Sequence, residues 1–349
     1  MPRRSIVAVS LAVLFPMLLG TVAALAGGLQ ARTDTKRLVR TNQGKSVERR
    51  PSESRKGKVA VSAEVQTEPA VEAPEEPAVE APEESSLDTS SSSGVKSYVF
   101  VNSKELATVA PSTSVAIVKG RLPSKDFRQT NEMTSFLTSL VNYEQSAALN
   151  DTEAAFAESM GYLAKTCSGD VIHPRNIPQV TLMNLANPEA VAWRAAMVSD
   201  ETATGYDQTY LDTLGAFYPD SFYTGHPCVD GVPVTNTQWR DGSVALISAV
   251  RDLTGKPVIA NGRALGASGG YFKNQADADM LITAADGIQI EQFARSTTPE
   301  RLAQDVAYLQ VLAAKGKTAY AKCKSTLAIC EATFAGGAGP DAYLAAPDG

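Results

Sequence analysis

Two acidic residues each follow a short apolar run of the sequence. Asp212 ends the run 206–212 and Glu291 ends the run 287–291, while Asn261 closes a third run between them. If these runs are parallel strands of one barrel, their carboxyl ends meet at one rim, and the two acids lie two strands apart. Such a pair suits glycosidic cleavage, because one carboxyl protonates the leaving oxygen and the other attacks or activates water. The alternative is that each acid forms a structural ion pair.

Aromatic residues crowd the segments that follow the same runs. Aromatic faces stack on the apolar faces of sugar rings, so these segments favour a saccharide cleft over loop packing alone. We therefore predict Asp212 and Glu291 as catalytic residues. The residues predicted to bind substrate are Tyr143, Glu144, Tyr210, Tyr218, Trp239, Asn261 and Phe293.

Other chemistries find little support in the residues. The chain has only two histidines, and His226 with Cys228 has no second ligand cluster, so we predict no metal site and no cofactor. The glycine-rich stretch 262–270 matches neither a Walker A loop nor a dinucleotide-binding motif, and we interpret it as a flexible rim loop. No Gly-x-Ser-x-Gly elbow is present, which disfavours a serine hydrolase.

Short β-rich runs alternate with helical patterns from residue 98 onward. The predicted strands are 98–101, 114–118, 138–143, 179–183, 207–211, 256–260, 287–290 and 317–321, with helices over 188–198, 243–253 and 299–314. Pro188 and Pro299 suit first-turn positions, with Asn187 and Thr298 as caps. This alternation over about 250 residues predicts an α/β fold, a (β/α)₈ TIM-type barrel over 98–349 with irregular closure. An open doubly wound sheet is the alternative.

The first 97 residues do not have the composition of a folded domain. Residues 1–29 carry a charged start and a long apolar run, which predict a signal peptide or a membrane anchor. The basic residues that follow would favour the inverted orientation of a retained anchor. Residues 30–97 form a charged linker rich in Pro and Ser, with the octapeptide 68–75 repeated at 76–83, and predict a disordered stalk or an unselected spacer.

The net charge and the cysteines limit the possible binding partners and the cellular compartment. The chain has 32 Lys and Arg against 38 Asp and Glu, a net charge of −6, and residues 98–349 alone carry −7, which disfavours nucleic acid and, weakly, polyanionic glycans. Four cysteines, an even number, allow two disulfides in an exported chain. Cys323–Cys330 would close a short loop and Cys167–Cys228 would brace two rim loops. In the cytoplasm all four would be free thiols.

Four segments together resemble a known family. LANPEAVAWR (185–194), GYDQTYLD (205–212), KPVIANG (256–262) and DGIQIEQF (286–293) follow the order seen in the hypothetical glycosyl hydrolase-like family 15, and are similar to endo-α-1,4-polygalactosaminidase barrels. The resemblance covers about a third of the chain, residues 179–293. It departs from the family at 206–208, where the family tends to have Asp-Gly, and in the insertion-like stretch 216–241. It implies a TIM-type barrel in which Asp212 and Glu291 are catalytic or substrate-binding acids.

These observations predict a monomeric, extracytoplasmic O-glycosyl hydrolase that is secreted or held to a membrane by its N-terminal segment. The predicted partner is an extracellular poly- or oligosaccharide. A catalytically inactive glycan-binding barrel at the cell surface is the first alternative, and a structural surface protein is the second.

Overall fold

The computed structural model describes residues 94–122 and 136–347. The predicted signal or anchor at 1–29 lies outside these residues, and so does nearly all of the linker predicted at 30–97. Within the described part, no helix is long and apolar enough to cross a membrane.

Eight parallel strands form one sheet that follows the order of the chain. They are β1 (Tyr98–Asn102), β2 (Val115–Lys119), β3 (Ser139–Gln145), β4 (Gln208–Gly215), β5 (Val258–Arg263), β6 (Gly287–Phe293), β7 (Thr318–Cys323) and β8 (Ala342–Ala345). The sheet closes because Ser97 bridges Leu344, whose amide donates to the carbonyl of Lys96 at 2.9 Å. This order and closure confirm the predicted (β/α)₈ TIM-type barrel rather than an open sheet.

Helices connect most of the strands. A 3₁₀ helix (Ser103–Thr108) joins β1 to β2. The described α-helices are α1 (Asp151–Ser159), α2 (Pro188–Thr202), α3 (Asn236–Thr254), α4 (Ser268–Lys273), α5 (Gln275–Ala284), α6 (Pro299–Ala314) and α7 (Leu327–Ala335). Two short ladders lie outside the barrel sheet, one pairing Ala148–Leu149 with Thr181–Leu182 and one pairing Cys228–Val229 with Val232–Pro233.

One predicted strand is wrong and one real strand was missed. Of the run 179–183 only Thr181–Leu182 is a strand, and it pairs antiparallel with Ala148–Leu149 outside the barrel. The eighth barrel strand is instead β8, near the end of the chain. Its four residues follow Gly-Pro-Asp and resemble a tail in sequence, yet β8 pairs in parallel with β7, so closure comes from tertiary pairing rather than local pattern.

Helix starts follow capping chemistry. Asn187 caps α2 by accepting from the amides of Glu189 and Ala190, with Pro188 in the first turn as predicted. Thr298 occupies the cap position of α6, but its side chain makes no capping bond, contrary to the prediction. Helix α3 begins at Asn236 rather than 243, because Thr235 and Gln238 form a reciprocal capping box.

The core has two layers, one on the outer side of the barrel wall and one inside the barrel. Helix α3 buries Trp239, Gly242, Ser243, Leu246, Ile247 and Val250, a spacing of three and four residues that places one face against the sheet. Inside the barrel a smaller cluster packs Tyr98, Ile117, Val141, Tyr210, Ile259 and Tyr320. The filled interior leaves the carboxyl ends of the strands as the open face for a site.

Candidate active site at the carboxyl ends of the strands

Four predicted site residues share one layer of the barrel. Side chains alternate along a strand, so two residues on the same strand that are two positions apart lie on the same face. The residues inside the barrel are Val141, Tyr210, Ile259 and Gln289. The residues two positions further along these strands are Tyr143, Asp212, Asn261 and Glu291. Each lies at the carboxyl end of its strand, on β3, β4, β5 and β6 in turn. The structure thus brings together residues that are up to 148 positions apart in the sequence.

These strand ends open into a cleft of about 630 Å³. Asp212, Asn261 and Glu291 line it, together with aromatic side chains of the loop after β4 and the segment 262–270 after β5. A concave, mostly preformed site with a few converging polar groups is the usual form of a small-ligand or saccharide site.

Asp212 is held by three hydrogen-bond donors. The hydroxyl of Tyr143 donates to Oδ2 at 2.7 Å, Nδ2 of Asn261 donates to Oδ1 at 3.2 Å, and the amide of Thr213 donates to Oδ1 at 2.7 Å. The backbone is also fixed, since the amide of Ser146 donates to the carbonyl of Asp212 at 3.0 Å. Bonds of this kind to a carboxylate are charge-assisted and set its orientation.

The hydroxyl of Tyr143 stays protonated in this arrangement. Burial, followed by the nearby charge of Asp212, raises the pKa of Tyr143 well above its usual value. The ring stacks on Tyr210 with centroids 5.2 Å apart, and the Tyr210 hydroxyl donates to Gln289 at 2.5 Å inside the barrel. Tyr143 is therefore a fixed, neutral donor to Asp212.

The strands carrying the two acids are both irregular at the acids. The pairing of β4 with β5 shifts register between Leu211 and Leu214, and that of β6 with β7 shifts between Ile290 and Phe293. Thr213 has φ of 66°, which is unusual for a β-branched residue. Bulges at barrel rims re-aim side chains and occur next to active sites. The irregular backbone geometry therefore occurs at the same two strand ends that carry the predicted catalytic acids.

A glycine permits the close approach of β5 to the bulge in β4. Gly262 has φ of 150°, and a Cβ at this position would lie 1.8 Å from the carbonyl oxygen of Leu214. The Gly262 amide also donates to Oδ1 of Asn261 at 2.8 Å, which orients the Asn261 amide group towards Asp212. Any side chain at 262 would push β5 away from Asp212.

Glu291 has surroundings unlike those of Asp212. Its side chain is exposed to the cleft, and among the described residues it takes part in no hydrogen bond or salt bridge. Gly266 lies against it, because a Cβ on Gly266 would be 3.6 Å from the Cβ of Glu291 and 2.9 Å from Oδ1 of Asn261. Among the described residues no salt bridge involves Asp212 or Glu291, so this part of the chain gives no support to the alternative of two structural ion pairs.

Glu144 points away from the cleft. It alternates with Tyr143 on β3 and contacts α2, where Arg194 donates to Glu144 at 3.1 Å and to Glu153 at 2.7 Å. Burial raises the pKa of Glu144, against the opposing effect of the Arg194 charge. Glu144 was expected to bind substrate, but here it belongs to a network that fastens β3 and α1 to α2.

The predicted aromatic residues divide between cleft and core. Trp239 lies in the cleft wall although its side chain is nearly buried, and Phe217, Phe222 and Tyr223 join it there. Tyr218 donates to the carbonyl of Gly225 and stacks on Tyr223 behind that wall. Three residues expected to bind substrate are therefore packing residues: Tyr210 inside the barrel, Tyr218 behind the cleft and Phe293 against Phe334.

Two disulfides brace this rim. Cys167 is bonded to Cys228, and Cys323 to Cys330, so no described cysteine is free. His226 lies between Oδ1 of Asp220 at 2.5 Å and the carbonyl of Val234 at 2.6 Å, where it holds the loop after β4. Among the described residues, no group of three His, Cys, Asp or Glu side chains is placed to hold a metal ion.

Several cleft residues were not predicted from the sequence. Asn176, Ile177 and Val180 reach the cleft from the segment before α2. Arg263, the last residue of β5, and Arg295, just after β6, also line it. Arg263 lies over the ring of Phe222, 5.3 Å from its centroid. The two arginines lie at or just after strand ends, a position that could have indicated them. The segment 174–180 gave no such signal, and its last two residues were assigned to a predicted strand.

Comparison with known proteins gives likeness of fold only. No family model matches the sequence, and no curated protein matches it. The structure is similar to the glycoside hydrolase domain of PelA from Pseudomonas aeruginosa, with a TM-score of 0.47 and 15% identity over 73% of this chain and 96% of that chain. It is also similar to Ega3 from Aspergillus fumigatus in complex with galactosamine, with a TM-score of 0.45 and 11% identity over 73% and 91%.

A third similar structure is the α-galactosidase AgaA from Geobacillus stearothermophilus in complex with stachyose. Its TM-score is 0.43 and its identity 8%, over 71% of this chain and 38% of that chain. The matched part of PelA is a glycoside hydrolase domain, and AgaA is an α-galactosidase.

Proposed function

We propose that this chain is a glycoside hydrolase that cleaves an extracellular poly- or oligosaccharide with Asp212 and Glu291. The observation that carries the proposal is the presence in one cleft of two carboxyl groups with opposite surroundings. Asp212 accepts three hydrogen bonds, whereas Glu291 accepts none from the described residues and faces the open cleft. Neither group forms a salt bridge with a cation among the residues that the structure describes, which supports their availability for chemistry.

The two surroundings suit different roles. We assign proton donation to Glu291, which is accessible and not held by donors, so it can transfer its proton to the glycosidic oxygen as the C–O bond breaks. Asp212, fixed by Tyr143, Asn261 and Thr213, supplies the negative charge that faces the oxocarbenium-like centre. A water molecule then adds its oxygen to the anomeric carbon and gives one proton to Glu291, which restores the acid.

The compartment and the family are part of the proposal. Pairing of all four cysteines supports an oxidising, extracytoplasmic location. Membership of the hypothetical glycosyl hydrolase-like family 15, and attachment through an N-terminal segment, rest on the sequence resemblance and on residues outside the described part.

The test is release of reducing ends from a panel of neutral, amino and acidic polysaccharides. Wild type would be compared with Asp212→Asn and Glu291→Gln, each checked for folding by circular dichroism. Glu189→Gln, an exposed acid on α2 outside the cleft, is the matched control for loss of one charge. We expect hydrolysis by wild type and by the control, and loss of at least about 10²-fold in the other two.

Two outcomes would contradict the proposal. Equal hydrolysis by wild type and both acid variants would exclude these carboxylates. Glycan binding that survives in both variants, with no hydrolysis by wild type of any member of the panel, would instead make the protein a glycan-binding barrel.

A further inference from the structure

A second groove opens beside the cleft, between α4 and the start of α6. Its lining includes the cationic side chains of Lys273, Arg295 and Arg301, all of them exposed. Gln292 and Arg295 line both depressions, so the groove continues directly from the cleft past the strand end that carries Glu291. A saccharide chain bound at the two carboxyl groups would extend into it.

None of the three cations of the groove forms a salt bridge with a described residue, although the charge of Arg301 acts on the nearby Asp305. Arg295 donates to Oε1 of Gln292 at 3.1 Å and Arg301 donates to Oε1 of Gln304 at 2.9 Å, and both of these acceptors are neutral. A guanidinium carries five N–H donors, so most of the donors of each arginine remain for a ligand. This differs from Arg194 and Arg240, whose guanidinium groups each meet two carboxylates.

The one acid in the groove lining is already engaged. Asp305 is buried, and it accepts from the hydroxyl of Ser268 at 2.5 Å and from the amide of Ala294 at 2.9 Å. Its oxygens therefore hold α4 and the end of β6 together and form no hydrogen bond with the arginines, although the charge of Arg301 still acts on Asp305. The groove presents net positive charge to a ligand, although residues 98–349 carry −7 overall.

Two further features of the groove suit a sugar carrying an anionic group. Phe272 lies in the lining with 38% of its surface exposed, which offers an apolar face for a sugar ring. Gly269 lets the Arg301 guanidinium lie close to the backbone, because a Cβ there would be 2.6 Å from Nη1 of Arg301. An aromatic face beside unpaired guanidinium groups matches a ring that bears an oxyanion.

We propose that this groove binds a carboxylate- or sulfate-bearing sugar unit, so that the substrate of the neighbouring cleft is an acidic glycan. The inference rests on the proposed function for its link to hydrolysis, but the binding itself does not require catalysis. It also revises the sequence-based expectation that the acidic domain disfavours polyanionic glycans, since the local charge of the groove opposes that of the domain.

The test measures binding by calorimetry to oligogalacturonates, sulfated galacto-oligosaccharides and neutral galacto-oligosaccharides of equal length. The protein would be wild type and the hydrolytically inactive Asp212→Asn/Glu291→Gln double variant. Lys273→Gln and Arg301→Gln remove groove charge without touching the cleft, and Lys104→Gln removes an exposed charge outside both linings. We expect at least one acidic set to bind tenfold or more tightly than the neutral set, and about tenfold weaker binding in each groove variant.

The outcomes separate this inference from the proposed function. Tighter binding of the carboxylate set or of the sulfate set identifies the anionic group, and either result supports the proposal that the groove binds an acidic sugar. Equal affinity for neutral and acidic sets, or groove variants that behave like Lys104→Gln, would overturn it even if hydrolysis is found. Equally tight, groove-dependent binding of a single-stranded oligonucleotide would overturn the assignment to a saccharide. Groove-dependent binding without hydrolysis of any glycan would support acidic-sugar binding by the groove and contradict the catalytic role of the cleft.

Discussion

The two sides of the barrel rim are built differently. On the β4 side, Asp212 is held by three donors, aromatic side chains form the wall, and a disulfide between Cys167 and Cys228 spans 61 residues. On the β6 side, Glu291 meets no donor among the described residues, cations line the adjacent groove, and Cys323–Cys330 spans only 7 residues. One side is fixed and largely apolar, and the other is open and charged.

The difference between the two sides can give two carboxyl groups on one rim different roles. A carboxylate that must keep one orientation needs surrounding donors, and β3 and β5 provide them for Asp212. A group that exchanges a proton with substrate and solvent needs access, which the end of β6 provides for Glu291. If so, variants of the two sides should differ in their effects on function.

The largest expected effect is on the β4 side. Asp212→Asn removes the charge that faces the reacting centre and places an amide N–H₂ among donors that need an acceptor. We expect kcat/KM for the polysaccharide hydrolysed by wild type to fall about 10⁴-fold. Retention of more than a tenth of the activity, in a folded variant, would remove Asp212 from the catalytic role.

The disulfides should differ in what they contribute to stability. Loss of the longer loop constraint in Cys167→Ser/Cys228→Ser should lower the free energy of unfolding by about 4 kcal/mol, against about 2 kcal/mol for Cys323→Ser/Cys330→Ser. Urea denaturation of the two double variants measures both values. Equal losses would show that the β4 loops are not held chiefly by their cross-link.

The Tyr143 hydroxyl should affect activity more than folding. Tyr143→Phe removes one hydrogen bond to the charged Asp212, and bonds of this kind contribute about 1.5–3 kcal/mol, so kcat should fall about 10- to 100-fold. The matched control is Tyr320→Phe, whose hydroxyl donates to Oε1 of Gln208 at 3.4 Å inside the barrel. That control should lower stability by about 1–2 kcal/mol and leave kcat nearly unchanged. The reverse pattern would contradict the assigned role of Tyr143.

The smallest expected effect concerns pH and the loop after β4. Burial opposes a charged His226, but the hydrogen bonds to Asp220 and to the Val234 carbonyl outweigh it and raise the pKa of His226. Because the folded-state pKa is raised, the stabilisation is complete below the unfolded pKa of about 6.5 and is lost as pH rises through the folded value. Wild type should lose about 1–2 °C more in Tm than His226→Gln between pH 5.5 and 8.5. Parallel pH curves for the two proteins would contradict this.

The sequence predicted the barrel because strands and helices alternate along the chain, and in such a barrel the carboxyl ends of the strands meet at one rim. Asp212, Asn261, Glu291 and Tyr143 were identified because each ends or directly follows a predicted strand, and the structure places them together. Alternation of side chains along β3 explains why Tyr143 reaches Asp212 and the adjacent Glu144 does not.

The features that escaped prediction depend on tertiary contacts. Strand β8 has only four residues and forms because β7 offers it a partner, whereas 179–183 had strand-forming residues but no barrel neighbour. Glu144 was predicted to bind substrate because the sequence does not reveal its buried partner Arg194, which is 50 residues away in the chain. The sequence did not predict the basic groove, because the net charge of a domain is summed over its whole surface, whereas a ligand contacts only one part of that surface.

The most direct test of the account is the response of each acid variant to the leaving group. The substrates are the natural glycan and a dinitrophenyl glycoside of the same sugar, whose leaving group departs without a proton, and the quantity measured is kcat/KM. The account predicts that Glu291→Gln loses about 10²- to 10⁴-fold on the glycan but stays within about tenfold of wild type on the dinitrophenyl glycoside. It predicts that Asp212→Asn loses activity on both. Equal losses on both substrates by Glu291→Gln, with activity on the dinitrophenyl glycoside kept by Asp212→Asn, would contradict the division of roles between the two sides of the rim.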